Sequence, residues 1–156
     1  MAGVLADPAL HEFAGGAPLD PQQLRARYER LAAGSPDPAV SWCNWVIRLR
    51  DPGCLAGTVQ ATIAGAQDPV AEIAWVVGTP WQGRGIATEA ARALVGWLAQ
   101  RRVRVVMAHI HPGHVASAAV AAAAGLRPTD HWQDGERRWE LVLSPQERQE
   151  GSPSDE

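Results

Sequence analysis

The chain has 156 residues, length for one domain with a sizeable core, and its 46% hydrophobic and 20% charged residues suit a globular protein. A net charge of −3 with scattered arginines gives no nucleic-acid footprint, and no apolar run reaches the roughly 18 residues of a membrane helix. The first residues lack the basic-then-apolar order of a signal peptide, and Cys43 and Cys54 show no Cys-x-x-Cys spacing, so reduced thiols in a cytoplasmic protein are expected. The sequence contains no lysine, which beside abundant Ala, Arg and Gly points to GC-rich bacterial coding.

Residues 1–19 carry Gly and Pro with little period and read as a loop around a short turn near Pro8–Phe13. Asp20 is placed as an N-cap, with Pro21 at the first helical position and Gln23 completing a capping box. Leu24, Tyr28 and Leu31 form an apolar stripe, and Gly34 ends this helix. Three strands follow. Over residues 41–50, Trp45, Ile47 and Leu49 face one way and Asn44, Val46, Arg48 and Arg50 the other. Residues 54–63 alternate in the same manner, Leu55, Gly57, Val59, Ala61 and Ile63 opposing Thr58, Gln60 and Thr62. Residues 70–77 are nearly all apolar, the pattern of a central strand covered on both faces.

A helix over about 84–101 carries Ile86, Ala90, Leu94 and Trp97/Leu98 on one side. Residues 103–111 are rich in β-branched side chains, Pro112-Gly113 breaks them, and 114–124 form a small-residue helix ended by Gly125. Residues 126–132 and 137–143 are strands joined through Asp134-Gly135, a hairpin signal. From 145 to 156 the chain is a polar tail expected to be disordered, which leaves 1–144 as a single domain. Of the seven tryptophans, Trp75, Trp97 and Trp139 are expected in the core, while Trp42, Trp45 and Trp132 fit either the core or an aromatic acceptor pocket.

The stretch from Val70 to Arg92 organises the rest, because an apolar strand turns through Gly-rich residues directly into a helix. Gly83 and Gly85 allow close backbone approach, and the first N–H groups of the helix lack internal partners, so a phosphorylated ligand is expected there. A nucleoside-triphosphate loop needs a lysine, and a dinucleotide fingerprint needs a third glycine where Thr88 stands. What remains is Gln82-Gly83-Arg84-Gly85-Ile86-Ala87, a Gln-x-x-Gly-x-Ala pattern. With the preceding AEIAWVV strand and the following GIATEAARAL helix, it resembles the GNAT family of acyl-CoA-dependent N-acetyltransferases. The resemblance is closest to the branch of ribosomal-protein N-terminal acetyltransferases.

That resemblance implies an α/β (α+β) fold, a mixed central sheet of about six strands flanked by helices, splayed at an acetyl-CoA-binding centre. The family's opening strand is not evident before the first helix. Acetyl-CoA is the implied co-substrate, with no metal, and the implied partner is an amine acceptor, either a small molecule or a protein N-terminus. No nucleic-acid or membrane partner is implied, and a homodimer stays open. Backbone N–H groups from Gln82 to Thr88 would hold the pyrophosphate, with a charge-assisted bond from Arg84, and Val76 and Val77 would meet the pantetheine arm.

Acetyl transfer to an amine needs an unprotonated nitrogen, which at neutral pH costs roughly 4–5 kcal/mol for a lysine and about 1–1.5 for an α-amine. A base is therefore useful. Glu72, an isolated carboxylate on an apolar strand, is the first candidate, since desolvation favours its protonated form. An arginine partner on a neighbouring strand is the structural alternative. Ser117 is the available hydroxyl for the leaving thiolate, the family's Asn-x-x-Ser appearing here as His114-Val115-Ala116-Ser117, and the sole tyrosine, Tyr28, lies far away in sequence. His109, His111 and His114 are rivals to Glu72 as base and a weak zinc pattern, with no fourth ligand evident. The reading is thus direct transfer from acetyl-CoA to a primary amine. Its alternative is a module of the same fold that binds acyl-CoA without turnover.

Overall fold

The structure, a computed structural model, describes residues 19–144. The turn near Pro8–Phe13, the question of an opening strand and the polar tail lie outside these residues. Helix α1 (Pro21–Ala33) starts as its sequence dictates: the Asp20 carboxylate accepts the Gln23 N–H at 2.7 Å and the Gln23 side chain accepts the Asp20 N–H at 3.0 Å. Then come β1 (Val40–Arg48), β2 (Leu55–Ala64), β3 (Val70–Val77), a 3-10 turn (Thr79–Trp81), α2 (Ile86–Gln100), β4 (Val105–Ile110), α3 (Val115–Ala123), β5 (Arg127–Gln133) and β6 (Glu136–Val142).

The strands form one sheet in the order β1-β2-β3-β4-β6-β5. Neighbours joined by tight turns pair antiparallel, whereas β3 and β4, linked by the α2 crossover, pair parallel. The parallel register runs only from Val70↔Val105 to Glu72↔Met107, while β2 and β3 stay paired out to Gly57↔Val77. Beyond Glu72 the two central strands therefore part.

One face of the sheet is the core. Trp45 of β1, Val59 and Ala61 of β2, Ala71 and Ile73 of β3, Val106 and Ala108 of β4, and Trp139 and Leu141 of β6 pack against Ala91, Leu94 and Leu98 of α2 and Ala121 of α3. The buried side of α2 is turned slightly from the expected stripe, towards Ala91, Leu94, Leu98 and Ala99. Trp75, Trp97 and Trp139 join the core as expected, Trp45 stands edge-on to Trp97 with ring centroids 4.8 Å apart, and Trp42 and Trp132 are surface residues. Leu98 is 0% exposed, so Leu98→Ala should cost about 2–5 kcal/mol, read as a lowered urea midpoint at unchanged slope.

The expectation that β3 is covered on both faces is corrected. Ala71, Ile73 and Val77 are buried, but Glu72 and Ala74 between them are exposed. An all-apolar strand was the wrong template because Ala74 and Val76 line a cavity rather than a second layer.

Candidate functional site

The turn after β3 is held from both sides. The Gly78 N–H donates to the Ala56 carbonyl at 2.7 Å, and the Gln82 side-chain amide donates to the Val77 carbonyl at 3.0 Å. Gly57 makes room for this approach, since a Cβ there would run into the Val76 carbonyl oxygen. Gly83 and Gly85 take φ of 74° and 76°, the left-handed region that glycine enters without a Cβ penalty, and Gly85 is the N-cap of α2. Among the described residues, the backbone N–H groups from Gly83 to Thr88 have no protein acceptor, the first helical bond being Glu89 N–H to Gly85 at 3.0 Å. They form an anion-binding cradle at the positive end of the helix dipole. Gln82 departs from its expected role: its N–H donates to the Thr79 carbonyl at 3.3 Å, so it braces the turn instead of joining the cradle.

Where β3 and β4 part, a cavity of about 780 Å³ opens. Glu72, Val76, Val77, Gln82, Gly83, Gly85, Ile86, Ala87, Thr88, His114 and Ser117 line it, whereas Arg84 is exposed outside it and Trp42, Trp45 and Trp132, the candidates for an aromatic acceptor pocket, are not in the lining. Tyr28 is not in the lining either. Its hydroxyl is buried without a partner among the described residues, and burial pushes its pKa up, with Arg27 pulling partly back.

Three adjoining strands place charged side chains in a row. Arg138 faces His109 across the β4–β6 pair, and Glu72 sits on the adjoining edge of β3. Arg138 Nε donates to His109 Nε2 at 3.3 Å, so that nitrogen carries no hydrogen. The ring proton is then on Nδ1, from which it is donated to Glu72 Oε1 at 2.8 Å. Arg138 is itself paired with Glu140 at 3.6 Å. The His109 side chain is 7% exposed and that of Glu72 52%; both line the cavity, and the carboxylate is the more open of the two. The isolated, desolvated glutamate of the sequence reading is corrected on both counts: Glu72 is half open to solvent and is partnered, by a histidine rather than by an arginine.

In the same lining, His114 caps α3: its Nδ1 accepts the Ser117 N–H at 3.3 Å, and Nε2 lies 3.1 Å from the Ser117 hydroxyl. With Nδ1 accepting, the ring proton on Nε2 points at Ser117 Oγ, which leaves the hydroxyl's own hydrogen for another acceptor. His111 Nδ1 accepts the Gly113 N–H at 2.9 Å. Among the described residues no group of three His, Cys, Asp or Glu side chains is arranged to hold a metal ion.

A family model described as an acetyltransferase (GNAT) domain matches residues 1–127. The chain belongs to the GNAT acetyltransferase family. No curated protein matches it. Among solved structures it is similar to a GNAT-family acetyltransferase from Bacillus anthracis (15% identity, 91% of this chain and 86% of that one, TM-score 0.74). It is also similar to spermidine N-acetyltransferase from Vibrio cholerae in complex with CoA and spermine (13%, 90% and 86%, 0.72). A third is an aminoglycoside acetyltransferase, AAC(6')-Ib, in complex with coenzyme A and kanamycin (19%, 94% and 88%, 0.73).

The six-strand mixed sheet with its parted centre is thus the GNAT fold. Sequence reasoning missed three residues of this GNAT site: Arg138, Trp81 and Glu136, the last two lining the cavity. It had noticed His109 without its link to Glu72. Strand alternation puts His109 and Arg138 on defined faces, but only the pairing register brings those faces together.

Proposed function

We propose that this GNAT protein is an acetyl-CoA-dependent N-acetyltransferase that acts by direct transfer on a cationic primary amine. The observation that carries the reading is that one cavity is lined both by the unpaired N–H cradle at Gly83–Thr88 and by Glu72. The cradle suits the pyrophosphate of acetyl-CoA, and the parted backbone at Val76 and Val77 suits its pantetheine arm. Glu72 takes one proton from the acceptor ammonium and passes it to solvent. The freed amine attacks the thioester carbon, the C–N bond forms and the C–S bond breaks. Ser117 gives its hydroxyl hydrogen to the departing CoA thiolate, and the second amine proton, lost from the attacking nitrogen through solvent, restores the Ser117 hydroxyl, with His114 hydrogen-bonded behind it. Neither cysteine lines the cavity, and burial pushes the Cys43 thiol up, with Arg101 partly offsetting this. A thiol acyl-enzyme is therefore not part of the scheme.

The acceptor class follows from charge. Glu72 and Glu136 are the charged carboxylates of the lining, and no arginine joins them among the described residues. Two anionic groups attract a cationic amine and repel a carboxylate-bearing one. The spermine and kanamycin of the solved relatives are multi-amines of that kind. A protein N-terminus, the acceptor implied by the resemblance to the ribosomal-protein branch, is the second class to test.

Thermal unfolding with millimolar acetyl-CoA, against free ADP as control, tests the cofactor half. At about 100 times the dissociation constant the ligand adds about 2.7 kcal/mol, a rise of a few degrees in Tm. Release of CoA thiol with spermine, kanamycin or an N-terminal peptide tests the other half. A Tm rise with no thiol release from any acceptor would make this a binding module.

A further inference from the structure

We infer that His109 is a positioning residue, which aims the Glu72 carboxylate at the acceptor while Arg138 fixes the tautomer that allows it. The inference rests on Glu72 as proton acceptor in the proposed transfer. A glutamate on a strand face, half in solvent, samples several rotamers, and only some of them point an oxygen at a reacting amine. Here one oxygen is tied. His109 sits two residues past Met107, the last β4 residue in register with β3, where the strands have begun to part. The imidazole and the carboxylate span this opening at 2.8 Å where no backbone pairing does.

The anchor is itself held. The His109 side chain is 7% exposed, and its far nitrogen is occupied by Arg138, which pairs in turn with Glu140. Arg138 presents only donors, so it can pair with His109 only while Nε2 bears a lone pair. That choice leaves the hydrogen on Nδ1, the side facing Glu72. Oxygen Oε1 is thereby engaged and Oε2 is left for the acceptor. His109 lines the cavity too, but its Nδ1–H is given to Glu72 and its Nε2 is taken by Arg138, which makes it a support for the proton acceptor rather than a substitute for it.

The test compares His109→Leu, which removes the donor, with His109→Asn, whose side-chain amide can replace Nδ1–H. Steady-state kinetics use acetyl-CoA and spermine. Leucine should lower kcat by about 10- to 100-fold with KM for acetyl-CoA unchanged, and asparagine should recover most of the loss. In a Glu72→Gln background, His109→Leu should add little, since the group it aims is already disabled. Equal losses in the leucine and asparagine variants, or full additivity with Glu72→Gln, would overturn the assignment. Two-bond proton–nitrogen spectra of the unmodified chain read the tautomer directly and do not depend on any variant folding. A hydrogen on Nδ1 is expected, and a neutral ring protonated on Nε2 refutes the arrangement. If the unmodified chain transfers nothing to spermine while the spectra show Nδ1–H, the acceptor reading fails and the positioning geometry stands.

Discussion

Glu72→Gln is expected to lower kcat and kcat/KM together by about 10²- to 10⁴-fold, the usual worth of a positioned general base. The exchange keeps size and shape, and the glutamine oxygen can still accept the Nδ1 hydrogen of His109. What is lost is the capacity to take a proton from the acceptor. Because Glu72 is not part of the Gly83–Thr88 cradle, the Tm rise with acetyl-CoA should match that of the unmodified chain. A loss below tenfold with spermine would remove Glu72 from the chemistry. A lost Tm rise would move its role to cofactor binding.

Gly85→Glu is expected to abolish most of the stabilisation by acetyl-CoA. Two effects add. Gly85 has φ of 76°, where a residue with a Cβ pays about 1–2 kcal/mol, and its N-cap position sets the direction of the first N–H groups of α2. A carboxylate placed there also occupies the positive end of the helix dipole, the place proposed for the pyrophosphate. If the dissociation constant rises about 100-fold, ligand that gave about 2.7 kcal/mol gives only about 0.4. Free space surrounds a Cβ at this position, so steric crowding does not explain the result. An unchanged Tm rise would place the pyrophosphate elsewhere.

Much of this was legible in the chain. The capping box at Asp20, the strand 70–77, the Asp134-Gly135 hairpin and the glycines at 83 and 85 are local signals, each carried by residues a few positions apart, and each is seen in the fold. Glu72 was singled out as a lone carboxylate on an apolar strand, and Ser117 with His114 through the family's Asn-x-x-Ser pattern; the fold brings all three to one cavity. The link of Glu72 to His109 and Arg138 was not legible, because 37 residues separate Glu72 from His109 and the link depends on two strand registers. The exposure of Glu72 was misread for a related reason. Apolar neighbours on a strand show that the strand is central, but the parting of β3 from β4 decides whether its second face meets protein or open space.

That parting divides the sheet into two leaves. One is β1-β2-β3 and the other is β4-β6-β5, each made of strands that are close in sequence and antiparallel throughout. Three residue pairs join the leaves through the sheet, and the shared core under α2 does the rest. The cavity sits on this seam, with Glu72 from one leaf and His109, Ser117 and Glu136 from the other half of the chain. Any molecule that fills it touches both leaves at the place where the sheet has the fewest bonds of its own. Cargo and cohesion are therefore linked: an occupied site fastens the protein along the line on which the empty one is held least.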